Sequence, residues 1–168
     1  MKKLMLIISV ILLTACQTDK IGFVDNSVLM ENYQEKKDVE SRYNMKSEAY
    51  AKKRDSITQS FQMEAQALQT KTKGMSEKKA QEEYALLQQK GQFIGQQLQQ
   101  EEQQIQMMGQ MEMDSLVSRV KREIDAFGKA NGYSYILGKG EGGGVLYGNE
   151  DNDLTQDILK ILNEKYQQ

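Results

Sequence analysis

The chain has 168 residues, with 22 basic and 24 acidic side chains and a net charge of −2, so no broad positive field draws it to nucleic acid. It holds one cysteine and no histidine, tryptophan or proline, which removes the usual metal-ligand sets, the commonest general base and any disulfide within the chain, and leaves long helices uninterrupted. A mean hydropathy of −0.67 implies a small core and much solvated helix.

Met1-Lys2-Lys3 is a basic start, Leu4 to Leu13 is apolar but for Ser9, and Thr14-Ala15 are small. This order describes a secretory signal, and its apolar run is well short of the ~20 residues that span a bilayer. The only cysteine follows at once. Leu13-Thr14-Ala15-Cys16 resembles a bacterial lipobox, which implies cleavage before Cys16, lipidation of its thiol and acylation of the new amino terminus. Several acyl chains on one residue anchor a protein stably, where a single chain is marginal. The alternative is an ordinary secretory signal with an incidental cysteine. The lipobox reading gives a signal peptide over 1–15 and a lipidated tether over 16–20. It removes Lys2 and Lys3 from the 22 basic residues, leaving 20 against 24 acids, a net charge near −4.

Ile21-Gly22-Phe23-Val24-Asp25 reads as a short buried strand, with Asn26 or Ser27 placed to cap the helix that follows. From about Val28 to Thr72 the pattern runs unbroken. Val39, Tyr43, Tyr50, Ile57, Phe61, Ala65 and Leu68 recur at threes, fours and sevens among polar residues, a narrow apolar seam on a charged rod. Lys73-Gly74-Met75-Ser76 then predicts a hairpin turn, with Gly74 ending one helix in a left-handed conformation and Ser76 capping the next.

The second rod is expected from about Glu77 to Phe127. Ala80, Tyr84, Leu87, Gly91, Ile94, Leu98, Glu101, Ile105 and Met108 alternate by four and three, the heptad rule of a coiled coil. From Leu116 through Val120, Ile124 and Phe127 the spacing is nearer 3.6 and suits packing on a globular body. Gly91, Gly95 and Gly109 inside this rod each cost about 1 kcal/mol relative to alanine. They either admit close helix packing or loosen the rod.

Gly128 and Asn131-Gly132 stop the second rod. Tyr133 to Leu137 reads as a strand, Gly138 to Gly144 as a turn, Val145-Leu146-Tyr147 as a third strand and Leu154 to Tyr166 as a last helix. The fold class is α+β: a small β-sheet body of three short strands plus a C-terminal helix, with a long antiparallel coiled-coil hairpin inserted. A body this small is marginal alone, and its strand edges need covering, so oligomerisation is expected.

Lys20-Ile21-Gly22-Phe23-Val24-Asp25-Asn26-Ser27-Val28-Leu29 resembles the opening of the Skp (OmpH) periplasmic chaperones. Gly132-Tyr133, Ile136-Leu137, Val145-Leu146-Tyr147, Asp153-Leu154-Thr155 and Leu162-Asn163 resemble that family's closing segment, in order and around a hairpin of similar length. The resemblance implies a homotrimer in which 21–30 and 114–168 form a β-containing trimerisation body. The hairpin over 31–113, with its tip near 72–76, forms a tentacle. It implies an ATP-independent holdase without cofactor, whose partners are unfolded outer-membrane proteins held in a cavity between the arms. The lipobox adds a membrane through the N-terminal lipid, and places the chain in the cell envelope, facing the periplasm. The best-known members are soluble and strongly basic, and this chain departs from both traits.

Within that reading, Met107 and Met111 on the second rod, with Met63 and Met75 on or near the first, are candidates for client binding, because methionine adapts to varied surfaces. Met108 and Met113 are expected in the seam or core. Lys36, Lys37, Lys46, Lys52, Lys53 and Arg54 read as solvated helix surface, and Lys71, Lys73, Lys78 and Lys79 form a basic tip suited to membrane or client.

Three other signals carry no chemistry. Gly138 to Gly144 lacks phosphate-loop spacing, Asp151, Asp153, Thr155 and Asp157 lack the glycine and glutamate of a calcium loop, and the Gln-rich stretch 96–106 carries the heptad seam. With no nucleophile–base pair, an enzyme is not expected, and no metal site is expected. A lipid-anchored coiled-coil spacer or tether is the alternative function, and strand content at both ends distinguishes the chaperone from it.

Overall fold

The structure, a computed structural model, describes residues 19–140 and 142–167. The leader and Cys16 lie outside the described residues. In chain order the elements are β1 (Ile21–Asp25), α1 (Asn26–Asn32), α2 (Gln34–Lys71), α3 (Glu77–Ala130), β2 (Tyr135–Lys139) and α4 (Thr155–Tyr166), with single 3-10 turns at Thr72–Gly74 and Glu150–Asn152. They form two compact units. One takes the chain up to Glu35 and again from Val117; the other is Lys36–Leu116.

In the first unit β1 and β2 pair in parallel, Ile21 opposite Tyr135 through to Asp25 opposite Lys139. The second strand thus starts two residues later than expected. Tyr133 is taken instead by the helix end. Gly132 sits at φ 69, Tyr133 N–H returns to Gly128 O at 2.9 Å, and the Tyr133 ring stacks on Phe127 with centroids 5.9 Å apart. This is a Schellman stop with its apolar contact, so Asn131-Gly132 ends the helix and Gly128 remains inside it. On its other side β1 is held by the N–H of Leu154, which donates to Phe23 O at 2.8 Å.

The expected third strand does not form among the described residues. Val145 makes a single bridge to Lys139, while Leu146 and Tyr147 are 99% and 88% exposed. The chain is drawn back over the sheet instead: a Cβ at Gly148 would meet the Phe23 ring at 2.3 Å, an approach only glycine allows.

Strand and helix abut without a loop. Asp25 is extended, and its carboxylate accepts the N–H groups of Ser27 and Val28 at 3.1 Å each, so Asp25 is the cap in place of Asn26 or Ser27. Thr155 Oγ1 accepts the Asp25 N–H at 2.8 Å and donates to Asp153, whose carboxylate also takes the Thr155 N–H at 2.9 Å. One hydroxyl thereby joins the end of β1 to the start of α4. Phe23, Val24, Leu29, Tyr33, Val120, Leu154, Ile158, Leu159 and Leu162 are the buried apolar residues of this unit.

The first rod is not continuous. Tyr33 is extended, at φ −71 and ψ 120, and fully buried between α1 and α2. The α2 start is capped from far along the chain, with Gln34 N–H donating to Asn163 Oδ1 at 2.9 Å. The Tyr33 hydroxyl donates to Glu35, and Arg119 reaches both Glu35 oxygens, at 2.9 and 3.1 Å. Burial first, then the Glu35 carboxylate, raises the Tyr33 hydroxyl well above the ordinary tyrosine value.

The second unit is an antiparallel helical hairpin. Tyr43 lies on Gly109 and Phe61 on Gly91, so an advance along α2 is matched by an equal retreat along α3. Ion pairs follow the same register: Arg42 with Glu112 at 3.0 Å, Lys53 with Glu101 at 2.7 Å, Glu64 with Lys90 at 2.5 Å and Lys71 with Glu83 at 3.2 Å. Tyr50 is buried and donates to Leu98 O at 2.9 Å. The turn is a 3-10 turn at Thr72–Gly74 followed by extended Met75, so Gly74 does not adopt the expected left-handed conformation. Thr72 Oγ1 lies 3.0 Å from both Leu68 O and Tyr84 Oη and ties the two helices at this end.

Two of the three rod glycines are notches for aromatic rings. A Cβ at Gly91 would stand 2.8 Å from Phe61, and one at Gly109 would stand 2.6 Å from Tyr43, whereas Gly95 has no such neighbour. Gly95→Ala is expected to stabilise the chain by about 0.5–1 kcal/mol, and Gly91→Ala and Gly109→Ala to gain less or to lose stability; thermal melts of the three variants check the order. Because the Tyr33 hydroxyl is raised in the folded state, its stabilising contribution is present below the ordinary value of 10.0 and is lost as pH rises above it. Tyr33→Phe is expected to cost about 1 kcal/mol near neutral pH and to flatten the alkaline loss of stability, measured by denaturant titration across that range.

Candidate functional site

The hairpin uses one narrow stripe of α3 for its own packing. Leu87, Gly91, Ile94, Leu98, Glu101 and Ile105 are half-buried, and α2 supplies Tyr50 and Leu68, both buried, with Ile57, Phe61 and Ala65 half-buried. This is the seam that the heptad spacing describes from Leu87 to Ile105; Tyr84, also expected in it, is 44% exposed. Long side chains flank it and pair across it, so the seam is closed by charge at several levels of the hairpin.

Apolar residues off the seam have no place in that packing. Leu86 and Phe93 are 63% and 58% exposed, one position ahead of the half-buried Leu87 and Ile94. Met107 takes the same heptad position two heptads after Phe93, past Gln100, at 60% exposure, and Met111 lies one turn on at 64%. Together they make an exposed apolar stripe beside a closed seam. Sequence reasoning singled out the two methionines and missed Leu86 and Phe93. The signal was present: each is the apolar neighbour of a seam residue, and both stand in heptad register with Met107.

The remaining candidates are placed as follows. Met63 on α2 is exposed, and Met75 is half-buried in the turn. Met45, level with Met107 in the hairpin register, is exposed. Met108, expected in the seam, is 40% exposed instead, because Gly109 occupies the adjacent contact under the Tyr43 ring. Met113 is half-buried and lines a groove of about 500 Å³ with Val39, Tyr43, Asn44 and Gly109.

The basic residues are more balanced than their number implies. Lys36 pairs with Glu40 at 2.6 Å, Lys46 with Glu112 at 3.7 Å and Arg54 with Asp55 at 3.0 Å. At the tip Lys71 pairs with Glu83, and Lys73, Lys78 and Lys79 are exposed beside it. Such surface pairs contribute little each, but they cancel the local field. Among the described residues no group of acidic or cysteine side chains could hold a metal ion, and no helix is long and apolar enough to cross a membrane.

In the first unit another set of apolar side chains is open. Ile21, Tyr135 and Leu137 on the sheet are 46%, 60% and 45% exposed, and Leu146 and Tyr147 follow the turn. Ile21 and Tyr135 are register partners, so the exposed residues continue across the two strands.

These features can be set beside known proteins. The backbone is similar to that of a proposed OmpH-like outer-membrane chaperone from Caulobacter crescentus CB15, solved at 2.83 Å, with a TM-score of 0.76 at 16% identity over 88% of this chain and 85% of that one. No curated protein matches the sequence significantly. The family model of the outer membrane protein (OmpH-like) matches residues 20–162, from just before β1 to near the end of α4. The chain therefore belongs to the OmpH-like family.

Proposed function

We propose that the chain is an ATP-independent holdase of the bacterial cell envelope that keeps unfolded outer-membrane proteins from aggregating. The observation that carries this reading is the exposed stripe of Leu86, Phe93, Met107 and Met111 on a hairpin whose own seam is already closed. An unfolded β-barrel chain presents alternating apolar residues and unpaired strand edges. A row of separate, flexible apolar contacts binds such a chain weakly at many points and so reversibly, and methionine suits irregular surfaces. The basic tip, Lys71, Lys73, Lys78 and Lys79, adds a secondary contact for client or lipid.

The working form in this reading is a homotrimer. A two-stranded sheet is marginal alone, and exposed Ile21, Tyr135, Leu137, Leu146 and Tyr147 give the body an apolar surface that a second copy can cover. In the same reading Cys16 is the lipidated first residue of the mature protein. The anchored chain faces the periplasm.

Two measurements test this. The mature chain is expected to suppress aggregation of an outer-membrane protein diluted from urea. Combining Phe93→Ser, Met107→Ser and Met111→Ser is expected to weaken client affinity about tenfold, taking about 0.5 kcal/mol for each partly buried side chain, with helix content unchanged by circular dichroism. No suppression at a severalfold excess would favour a coiled-coil spacer. Light scattering is expected to give three times the chain mass, and Leu146→Asp with Tyr147→Asp to shift it toward one; a wild-type mass of one chain would remove the trimer.

A further inference from the structure

The residues just ahead of β1 are fastened to a distant part of the sequence. Lys20 Nζ donates to Asn131 O at 3.1 Å and sits 4.1 Å over the centre of the Tyr133 ring. Ser134 N–H donates to Lys20 O at 2.8 Å, and Ser134 Oγ donates to Asp19 Oδ1 at 2.9 Å. Four contacts thus hold residues 19 and 20 on the corner where α3 ends and β2 begins.

Only Gln17 and Thr18 separate that fastened point from Cys16. Three Cα steps of fully extended chain reach about 10 Å at most. A lipid on Cys16 therefore cannot act as a loose leash. From these contacts, and resting on the lipidation proposed above, we infer that the corner formed by Lys20, Lys129, Asn131 and Ser134 is the face of the β-containing body that lies on the phospholipid headgroups.

The sheet gives this orientation a direction. β1 and β2 are parallel and both begin at the corner, Ile21 opposite Tyr135. With that corner on the headgroups both strands lead away from the bilayer, and Lys139 at the end of β2 stands up to about 13 Å farther out than Tyr135. Charge does not set the orientation. Asp19 and Lys20 carry opposite charges, and Lys129 is paired with Asp125 at 2.7 Å. With these charges cancelled, the short covalent tether is the cause, and the arrangement persists at high salt.

The test uses the fact that Cys16 is the only cysteine. The mature chain is conjugated at Cys16 to a maleimide phospholipid and inserted into phosphatidylcholine vesicles containing a headgroup-labelled acceptor. A donor dye is placed through an azide-bearing amino acid at position 129 or position 144. Energy transfer is expected to be clearly greater from 129 than from 144, and to stay so at high salt. A long Gly-Ser insertion between Thr18 and Asp19 is expected to remove the difference. Equal transfer from both positions with the short tether, or greater transfer from 144, overturns the orientation. The mass of the chain purified from bacterial membranes tests lipidation separately: an unacylated Cys16 removes the anchor, and with it the orientation of the natural protein, whatever the conjugate shows.

Discussion

Two helices with too little apolar surface to bury must still hold one register. In the hairpin that problem is met by aromatic rings set into glycine notches: Phe61 fills the space at Gly91 and Tyr43 the space at Gly109. A ring set this close to the backbone fits only where the facing side chain is missing. The two notches, far apart along α3, therefore fix how α2 and α3 slide against each other. The cross-helix ion pairs fall at matching levels, and although each is weak at an exposed site, every one of them opposes a slip.

That economy has a functional side. A seam built from few residues leaves other apolar residues unused, and on this hairpin they are not scattered. Leu86, Phe93 and Met107 share one heptad position, with Gln100 between the last two, one helix face over from the seam. A folded core would gain by absorbing them; a surface that meets unfolded chains gains by leaving them open. The helix cost of the seam glycines belongs to the same arrangement, since Gly91 and Gly109 give up intrinsic propensity for a ring contact.

The β-containing unit meets a different constraint. Its two strands are adjacent in the sheet but far apart in sequence, and parallel pairing requires a long connection, which the whole hairpin supplies. Polar side chains then fix the junctions where elements meet without loops. Asp25 caps α1 from the last position of β1, Thr155 joins β1 to α4, and Asn163 caps α2 across more than a hundred residues. What remains open is one apolar set on and after the sheet, which the trimer proposed above would cover.

Local pattern alone was enough for the elements whose causes lie within a few residues. The seam from Tyr50 to Leu68 and from Leu87 to Ile105 follows from periodicity, the stop at Asn131-Gly132 from the one residue that takes a positive φ without strain, and the last helix from its apolar face. The break at Tyr33 has no proline or glycine to announce it, because a buried hydroxyl network and a cap from Asn163 produce it. The segment Val145-Leu146-Tyr147 has strand composition, yet composition cannot supply a neighbour, and the close approach of Gly148 to Phe23 turns the chain elsewhere. The two methionines of the stripe were legible from type and spacing; Leu86 and Phe93 were missed, although the heptad spacing that puts Leu87 and Ile94 in the seam leaves both of them outside it. By itself the sequence determined the periods, the stops and the order of the elements, because those depend on near neighbours. The strand pairing and the helix break were decided by the tertiary structure, because each depends on which distant residue arrives to occupy the space.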